Sequence, residues 1–227
     1  MVQIERGEAA GLDYLDVSFA EVGPAAPLVI GLHGRRSSPD DLAGLAPLLD
    51  TGWRYVFPRA PVRLDFGVYG AGYSWYEPIP ATPEQMTGAQ ALLAAFLAAL
   101  HGRLEILPGR SALLGFSQGA AMTLAAGLRA PAPYAALVAL SGYLPEAADL
   151  PTVIAARASQ PVLITHGTHD DVLDITLAQR ARALLEAHGL TPEYHEFALR
   201  HEISDEELAV VRDFLHRHLR TEDATSA

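Results

Sequence analysis

Apolar and polar positions alternate along this chain in short blocks that predict strands separated by helices. The segment LDYLDVSF has a period of two, which is typical of an edge strand. Six other segments are short apolar runs bounded by glycine or proline: PLVIGLHG, WRYVFP, RSALLGF, YAALVALSG, QPVLITHG and PEYHEFA. Such runs indicate buried strands. The pattern therefore predicts an α/β fold with a mostly parallel central sheet covered by helices on both faces.

Helical periodicity fills the intervals between the predicted strands. The predicted helices span residues 39–49, 83–100, 118–129, 175–188 and 204–219. Thr82 and Gln85 have the spacing of a capping box, and Gly102 is placed to end the second helix. Residues 59–80 are rich in glycine, proline and aromatics and have no sustained period, so we expect a functional loop there. We expect one domain over residues 1–227, with 220–227 as a frayed tail.

Composition excludes several kinds of chemistry. The chain has 227 residues, no cysteine, no lysine and a formal net charge of -11. Cysteine nucleophiles, thiolate metal sites and Schiff-base lysines are absent, and an acidic chain is not expected to bind nucleic acid. The amino-terminal MVQIERGEAAGL is charged where a signal peptide would be apolar, so we expect a cytoplasmic protein. The apolar stretch 89–100 has about half the roughly 20 residues of a membrane span.

One serine lies in a motif that is typical of a catalytic nucleophile. Ser117 stands between Gly115 and Gly119 in GFSQG, directly after an apolar run and before a run of small residues. This G-x-S-x-G pattern forms a sharp strand-to-helix turn that projects the serine above a parallel sheet. A plain strand-to-helix turn would produce the same pattern, so the serine needs a matching base and acid.

The required partners follow Ser117 in the order acid, then base. Asp170 comes a few residues after the apolar run VLITHG, although Asp171 and Asp174 are close enough to compete for the role of acid. Of nine histidines, His201 alone lies in a loop between the last predicted strand and the last predicted helix. The histidines set aside by order or by position in an element are His33, His101, His188, His195, His216 and His218. We therefore expect Ser117, Asp170 and His201 to form the catalytic set, with activity rising across roughly pH 6 to 7 as a histidine base loses its proton.

Acyl transfer also needs backbone donors for a developing oxyanion. We expect one N–H from Gln118, which follows the nucleophile, and a second from Arg35, which follows the sequence LHG. The guanidinium groups of Arg35 and Arg36 could also receive an anionic substrate group, although a solvated loop explains them equally well.

Taken together, LHG, GFSQGAAM, ALSGYLP, HGTHD and RHEIS resemble the phospholipase/carboxylesterase family of α/β-hydrolases, which includes acyl-protein thioesterase-like enzymes. The resemblance implies an α/β-hydrolase fold without a large cap domain, no cofactor or metal, and a small-molecule ester or thioester substrate. It also implies that Trp75, Tyr76, Tyr143 and Leu144 border the acyl pocket. The chain departs from the family pattern at Asp171, where a proline is usual, and at Arg200, where a glycine is usual. The charge of Asp171 is expected to raise the pKa of its neighbour.

Several alternatives stay open at this point. A thioesterase or a lysophospholipase would use the same catalytic set as a carboxylesterase. A metal-dependent hydrolase could use His166, His169 and Asp170, although their spacing matches no regular metal motif. A noncatalytic binding protein on this fold is also possible. Chain length of the acyl group, the alcohol group, and the choice between monomer and homodimer do not follow from the sequence.

Overall fold

An eight-stranded sheet organises residues 1–20, 22–23 and 26–219, which are those that this computed structural model describes. Its strand order is β1-β2-β4-β3-β7-β8-β9-β10, and a separate hairpin joins β5 to β6. The first two pairings, β1 with β2 and β2 with β4, are antiparallel and the other five are parallel. The strands are β1 (Val2–Ala9), β2 (Leu12–Phe19), β3 (Leu28–Leu32), β4 (Arg54–Pro58), β5 (Val62–Asp65), β6 (Ala71–Ser74), β7 (Ser111–Phe116), β8 (Ala136–Leu140), β9 (Val162–Gly167) and β10 (Glu193–Phe197).

Helices cover both faces of this sheet. They are α1 (Pro39–Ala43), α2 (Ala46–Leu49), α3 (Pro83–Leu104), α4 (Gln118–Gly127), α5 (Leu150–Ala155), α6 (Thr176–Ala187) and α7 (Asp205–His218). One apolar cluster contains buried side chains from α3, α4, α5 and α6, and a second contains those of α1, α2 and α7. The central strands β3, β8 and β9 are buried at every position, because both of their faces pack against helices.

Local sequence explains where several of these elements begin and end. The predicted capping box forms at α3, where Thr82 Oγ1 accepts from the Gln85 backbone N–H and the Gln85 side chain accepts from the Thr82 N–H. Gly102 does not end this helix, contrary to the prediction. The helix continues to Leu104 and ends at Glu105, whose φ of 55° is the left-handed conformation of a helix C-cap.

Several elements differ from the prediction. Helix α5 was not predicted, and β2 pairs on both sides, so the prediction that it is an edge strand is wrong. The segment 39–49 forms the two short helices α1 and α2 instead of one. Residues 59–80 contain the β5–β6 hairpin instead of an entirely irregular loop. Strand β1 was not predicted, because it lies at the sheet edge with nearly all of its side chains exposed, and a turn at Ala10 and Gly11 pairs it with β2. None of these differences changes the predicted architecture.

The predicted α/β arrangement is confirmed by this topology. Among the residues that the structure describes, no large cap domain is inserted between the strands, and no helix is long and apolar enough to cross a membrane. The predicted tail at 220–227 lies outside the described residues. Because the five parallel pairings align the carboxyl ends of β3, β7, β8 and β9, the loops that follow these strands meet at one edge of the sheet.

Candidate active site

Ser117 occupies the sharp turn between β7 and α4. Its backbone angles, φ 56° and ψ -119°, are rare for a residue with a side chain, and its N–H donates to Leu140 O at 2.9 Å. Such strain is retained only where the surrounding structure enforces it, and it is common at catalytic residues. The strand, the turn and the helix that GFSQG predicts are therefore all present around this serine.

The two glycines of the motif are required by close backbone contacts. A Cβ on Gly115 would lie 2.2 Å from Gly119 O, and a Cβ on Gly119 would lie 1.9 Å from Leu32 O. Neither distance is possible for a real side chain. The first turn of α4 can pack against β3 and β7 only because both positions lack a side chain.

Ser117, His201 and Asp170 form one hydrogen-bonded chain across three loops. Ser117 Oγ lies 2.9 Å from His201 Nε2, and His201 Nδ1 lies 2.7 Å from Asp170 Oδ2. The Asp170 side chain is fully buried and the His201 side chain is 15% exposed. The first two residues are separated by 84 positions in sequence and the last two by 31, so the fold alone brings them together.

Asp170 is held as a carboxylate. Burial opposes its ionisation, but hydrogen bonds from Leu173 N, His201 and Val172 N outweigh burial and lower the pKa of Asp170 below its ordinary value. The expectation that Asp171 raises this pKa is therefore wrong. Asp171 forms an exposed ion pair with Arg200.

The remaining histidines near this edge of the sheet take other roles. His33 is buried, which lowers its pKa to about 4, and its Nε2 accepts the Ala60 backbone N–H at 3.1 Å. His166 contacts Asp170, whereas the His169 ring is near Thr168 Oγ1 at the surface. Within the described ranges, no group of three or more histidine or acidic side chains is placed to hold a metal ion.

The segment after β3 passes directly beside Ser117. A Cβ on Gly34 would lie 3.4 Å from Ser117 Cβ, so the neighbouring Arg35 is close to the Ser117 hydroxyl. The β5–β6 hairpin holds this segment, since Arg36 N donates to Tyr73 O at 2.8 Å and Tyr73 N donates to Ser37 O at 2.8 Å. We call residues 34–37 the oxyanion loop, after the role that the sequence leads us to expect of Arg35.

Both arginines of the oxyanion loop have partners. Arg35 forms a two-pronged ion pair with Glu77, in which Nη2 donates to Oε2 at 3.0 Å. The Arg36 guanidinium carbon lies 4.8 Å from the centre of the Phe66 ring. Both guanidinium groups are therefore engaged by neighbouring side chains, and neither is left to bind an anion beside Ser117. The hypothesis that these two residues bind an anionic substrate group therefore gains no support from the geometry.

The Gln118 side chain is buried and holds the chain that follows β6. Its Oε1 accepts from Trp75 N at 2.9 Å and from Ser74 Oγ at 3.1 Å, and its Nε2 donates to Tyr76 O at 3.0 Å. The Trp75 indole N–H donates to His33 O at 2.9 Å. The side chain of Gln118 is thus fully engaged in structure, which leaves its backbone N–H as the group available to a substrate.

A cleft of about 360 Å³ opens at Ser117 and His201. Its apolar wall comes from side chains that the sequence did not single out: Leu42, Leu45, Phe116 and Ile203. Phe116 belongs to the GFSQG motif and Ile203 lies two residues after the base, so their closeness in sequence to Ser117 and His201 was the available signal. Nothing in the sequence indicates that Leu42 and Leu45, which follow the oxyanion loop, would line the cleft.

The residues predicted to border the acyl pocket, Trp75, Tyr76, Tyr143 and Leu144, are not among the side chains that line this cleft. Trp75, Tyr76 and Leu144 are buried in the apolar core, with 2%, 2% and 8% of their surface exposed. The hydroxyl of Tyr143 hydrogen-bonds to that of Tyr76. The aromatic stretch after β6 faces the core because Trp75 donates hydrogen bonds to the Gln118 side chain and to His33 O.

Known proteins resemble this chain over most of its length. The model of the phospholipase/carboxylesterase family matches residues 19–219. Carboxylesterase SOBER1 of Arabidopsis thaliana is 31% identical over 183 residues, which are 75% of this chain and 79% of the relative. Acyl-protein thioesterase 1 of Neurospora crassa is 33% identical over 183 residues, which are 73% of this chain and 74% of the relative.

Solved structures agree on the fold. Esterase PE8 superposes with a TM-score of 0.76 at 27% identity, covering 96% of this chain and all of the other. A carboxylesterase from Mesorhizobium loti superposes with a TM-score of 0.79 at 20% identity, covering 94% and 98%. The predicted α/β-hydrolase fold is confirmed, and the relatives are enzymes named for ester and thioester hydrolysis. The chain belongs to the phospholipase/carboxylesterase family and is a hydrolase of esters or thioesters.

Proposed function

We propose that this protein is a serine carboxylesterase that cleaves carboxylic esters through Ser117, His201 and Asp170. The observation that carries the proposal is the continuous chain of hydrogen bonds from Ser117 Oγ through the imidazole to a buried carboxylate. A serine hydroxyl is a weak nucleophile by itself, and a neutral histidine within hydrogen-bond reach removes its proton as it attacks.

The proposed reaction has two steps. His201 Nε2 takes the hydroxyl proton of Ser117 while Oγ bonds to the acyl carbon, and the resulting imidazolium is stabilised by Asp170. The imidazolium then gives its proton to the departing alcohol, which leaves an acyl-enzyme. Water attacks the acyl-enzyme with His201 again as the base, which releases the acid and restores the hydroxyl. The reaction requires no cofactor.

Backbone donors stabilise the oxyanion of each tetrahedral intermediate in this proposal. The N–H groups of Gln118 and Arg35 are assigned this role because both residues adjoin Ser117, one in sequence and one through the contact at Gly34. Removal of one such donor typically costs a factor of about 100 to 1,000 in turnover. Because both donors belong to the backbone, side-chain substitution at either position does not remove them.

The central experiment measures turnover and covalent labelling together. In Ser117→Ala, we expect hydrolysis of p-nitrophenyl esters to fall to background and labelling by a fluorophosphonate probe to disappear. The matched control is Ser141→Ala, since Ser141 is also buried and also has a positive φ, 48°, at the end of a neighbouring strand. We expect the control to keep both signals. Normal turnover by the Ser117 variant would refute the proposal, and so would full inhibition by a metal chelator.

An acyl thioesterase is the second candidate, and the Neurospora crassa relative favours it. The same residues and the same steps would serve a thioester. Esters of graded chain length, an acyl thioester and a lysophospholipid, assayed side by side, give the ratio of kcat/KM values that separates these activities. A kcat/KM that is higher for the thioester than for every oxygen ester would assign the protein as a thioesterase.

A further inference from the structure

A second histidine contacts the same carboxylate oxygen of the proposed catalytic acid as the proposed base does. His166 lies at the end of β9 and is completely buried. Its Nε2 is 2.8 Å from Leu173 O and 3.3 Å from Asp170 Oδ2. Oδ2 of Asp170 therefore has two imidazoles as neighbours, His201 at 2.7 Å and His166 at 3.3 Å. The reaction proposed above uses only the first of them.

The contacts of His166 determine which nitrogen carries its proton. Both atoms near Nε2 are oxygens that can only accept, so Nε2 must be the donor. The other nitrogen, Nδ1, is buried and has no hydrogen-bond partner in the described part of the chain. A proton on Nδ1 would be a buried donor without an acceptor, which is costly. The contacts therefore assign the donated proton to Nε2.

This donor closes a compact loop around the acid. Asp170 Oδ1 accepts the backbone N–H groups of Val172 and Leu173, at 2.9 and 2.8 Å. Leu173 O in turn accepts from His166, which belongs to the rigid strand β9. The carboxylate is thus oriented by donors on both oxygens, and the imidazole connects its loop to the central sheet.

We propose that His166 is a positioning residue for Asp170: it holds the loop and the carboxylate so that Oδ2 faces His201 Nδ1. This inference rests on the proposed function, because it assigns a role within the same catalytic chain. His166 acts through the carboxylate and does not touch the substrate. A misplacement of about 1 Å in such a group can lower a rate about a hundredfold, so a buried donor at this position has a measurable effect.

The test compares two amides at position 166. In His166→Gln the amide nitrogen reaches the place of Nε2, whereas in His166→Asn it reaches only the place of Nδ1. We expect the asparagine variant to lose about tenfold to a hundredfold in kcat with little change in KM, and the glutamine variant to regain most of that loss. His169→Gln is the matched control, because His169 is an exposed histidine of the loop that carries Asp170. We expect this variant to have wild-type kinetics.

A double-mutant cycle with Asp170→Asn separates positioning from a general structural effect. If His166 acts through Asp170, the asparagine change at 166 costs kcat in the wild type but adds no further loss when Asp170 is already Asn. Equal losses in both backgrounds would overturn the proposal, and so would equal kcat values for the two amide variants. The proton NMR signal of the His201 Nδ1–H, expected far downfield because it faces a carboxylate, should move in the asparagine variant and return with glutamine.

Failure of this inference can be told apart from failure of the proposed function. If the wild type neither turns over esters nor reacts with a fluorophosphonate, the proposed function is wrong and the cycle has no basis. If the wild type is active and both amide variants equal it, the function stands and His166 has no positioning role. Thermal unfolding of each variant shows whether it is folded at the assay temperature.

Discussion

The Gln118 side chain provides a direct test of how much a buried polar network contributes here. In Gln118→Leu the side chain becomes apolar and one heavy atom smaller, and the Trp75 backbone N–H loses its acceptor at 2.9 Å. Tyr76 O keeps a donor, since Ser74 Oγ can also donate to it at 2.7 Å. One buried donor is therefore left without a partner. Such a donor costs about 1 to 3 kcal/mol of unfolding free energy.

The assay for this prediction is thermal unfolding of the folded chain. Each 1 kcal/mol lowers Tm by about 2 to 4 °C in a protein of this size, so we expect a loss between about 2 and 12 °C. The matched control is Thr123→Val on the same helix. The Thr123 hydroxyl is buried without a hydrogen-bond partner in the described part of the chain, so its removal leaves no group newly unpaired. We expect the valine variant to equal or exceed the wild type in Tm.

Kinetics of the same leucine variant test the proposed oxyanion donor. The backbone N–H of residue 118 is retained, so we expect kcat to stay within about tenfold of the wild type once the enzyme is folded. A fall of about a thousandfold with an unchanged Tm would refute the reasoning, because it would mean that the side chain itself acts in the chemistry. An unchanged Tm and unchanged kcat would instead show that the network around Trp75 contributes nothing.

Three further changes have definite expected outcomes. Gly72→Ala places a Cβ 2.1 Å from Arg36 O, so it should displace the oxyanion loop and lower kcat/KM about tenfold, which ester hydrolysis measures. Joint replacement of Arg35 and Arg36 by Gln should change the preference for neutral over anionic esters by no more than about twofold, because both guanidinium groups already have partners. A larger change would restore the hypothesis that they bind an anionic substrate group. Burial raises the pKa of Glu207. As pH rises above the ordinary pKa of a glutamate, the stability of the wild type should therefore fall relative to that of Glu207→Gln. A difference in denaturant midpoint that does not change with pH would contradict this.

The sign of the last effect follows from proton uptake. Above the unfolded pKa of a glutamate and below its raised folded pKa, the folded protein holds a proton that the unfolded chain has lost. Rising pH therefore favours unfolding across that window. The structural cause is that Glu207 is 1% exposed and, among the residues that the structure describes, only Thr165 Oγ1 bonds to its carboxyl group, at one of the two oxygens. A glutamine has no titration there, which is why the difference between the two proteins should grow with pH.

The sequence predicts the sheet well because strands that are buried on both faces consist largely of apolar residues. Each of the six apolar segments is a strand, although β10 lies at the edge of the sheet and is only partly buried. The period of two at LDYLDVSF correctly indicated a strand, but the prediction of an edge strand is wrong, because β2 pairs with both β1 and β4. Strand β1 was not predicted, because most of its side chains are exposed. Its pairing depends on backbone hydrogen bonds and a turn at Gly11, neither of which imposes a burial pattern on exposed side chains.

The candidate site divides in the same way. The order of Ser117, Asp170 and His201 in sequence predicted that the three side chains would lie together, because this fold admits few positions for an acid and a base after a nucleophilic serine, and the structure places them in one hydrogen-bonded chain. The cleft was not predictable, since its wall combines Leu42 of α1 with Ile203 of the loop after β10, which are far apart in sequence. The burial of Trp75 and Tyr76 was not predictable either, because an aromatic stretch in a loop has the same composition whether it faces a ligand or the core.

The ion pair between Asp171 and Arg200 explains why two departures from the family pattern leave the acid intact. Taken singly, an extra carboxylate beside Asp170 should hinder ionisation of this proposed acid. Paired, the two charges cancel at the surface, with 55% and 70% of their side chains exposed. Exposed pairs of this kind contribute little stability, so their effect is electrostatic neutrality rather than rigidity. The orientation of the acid then depends on buried donors, which are the backbone of the loop after Asp170 and the imidazole of His166.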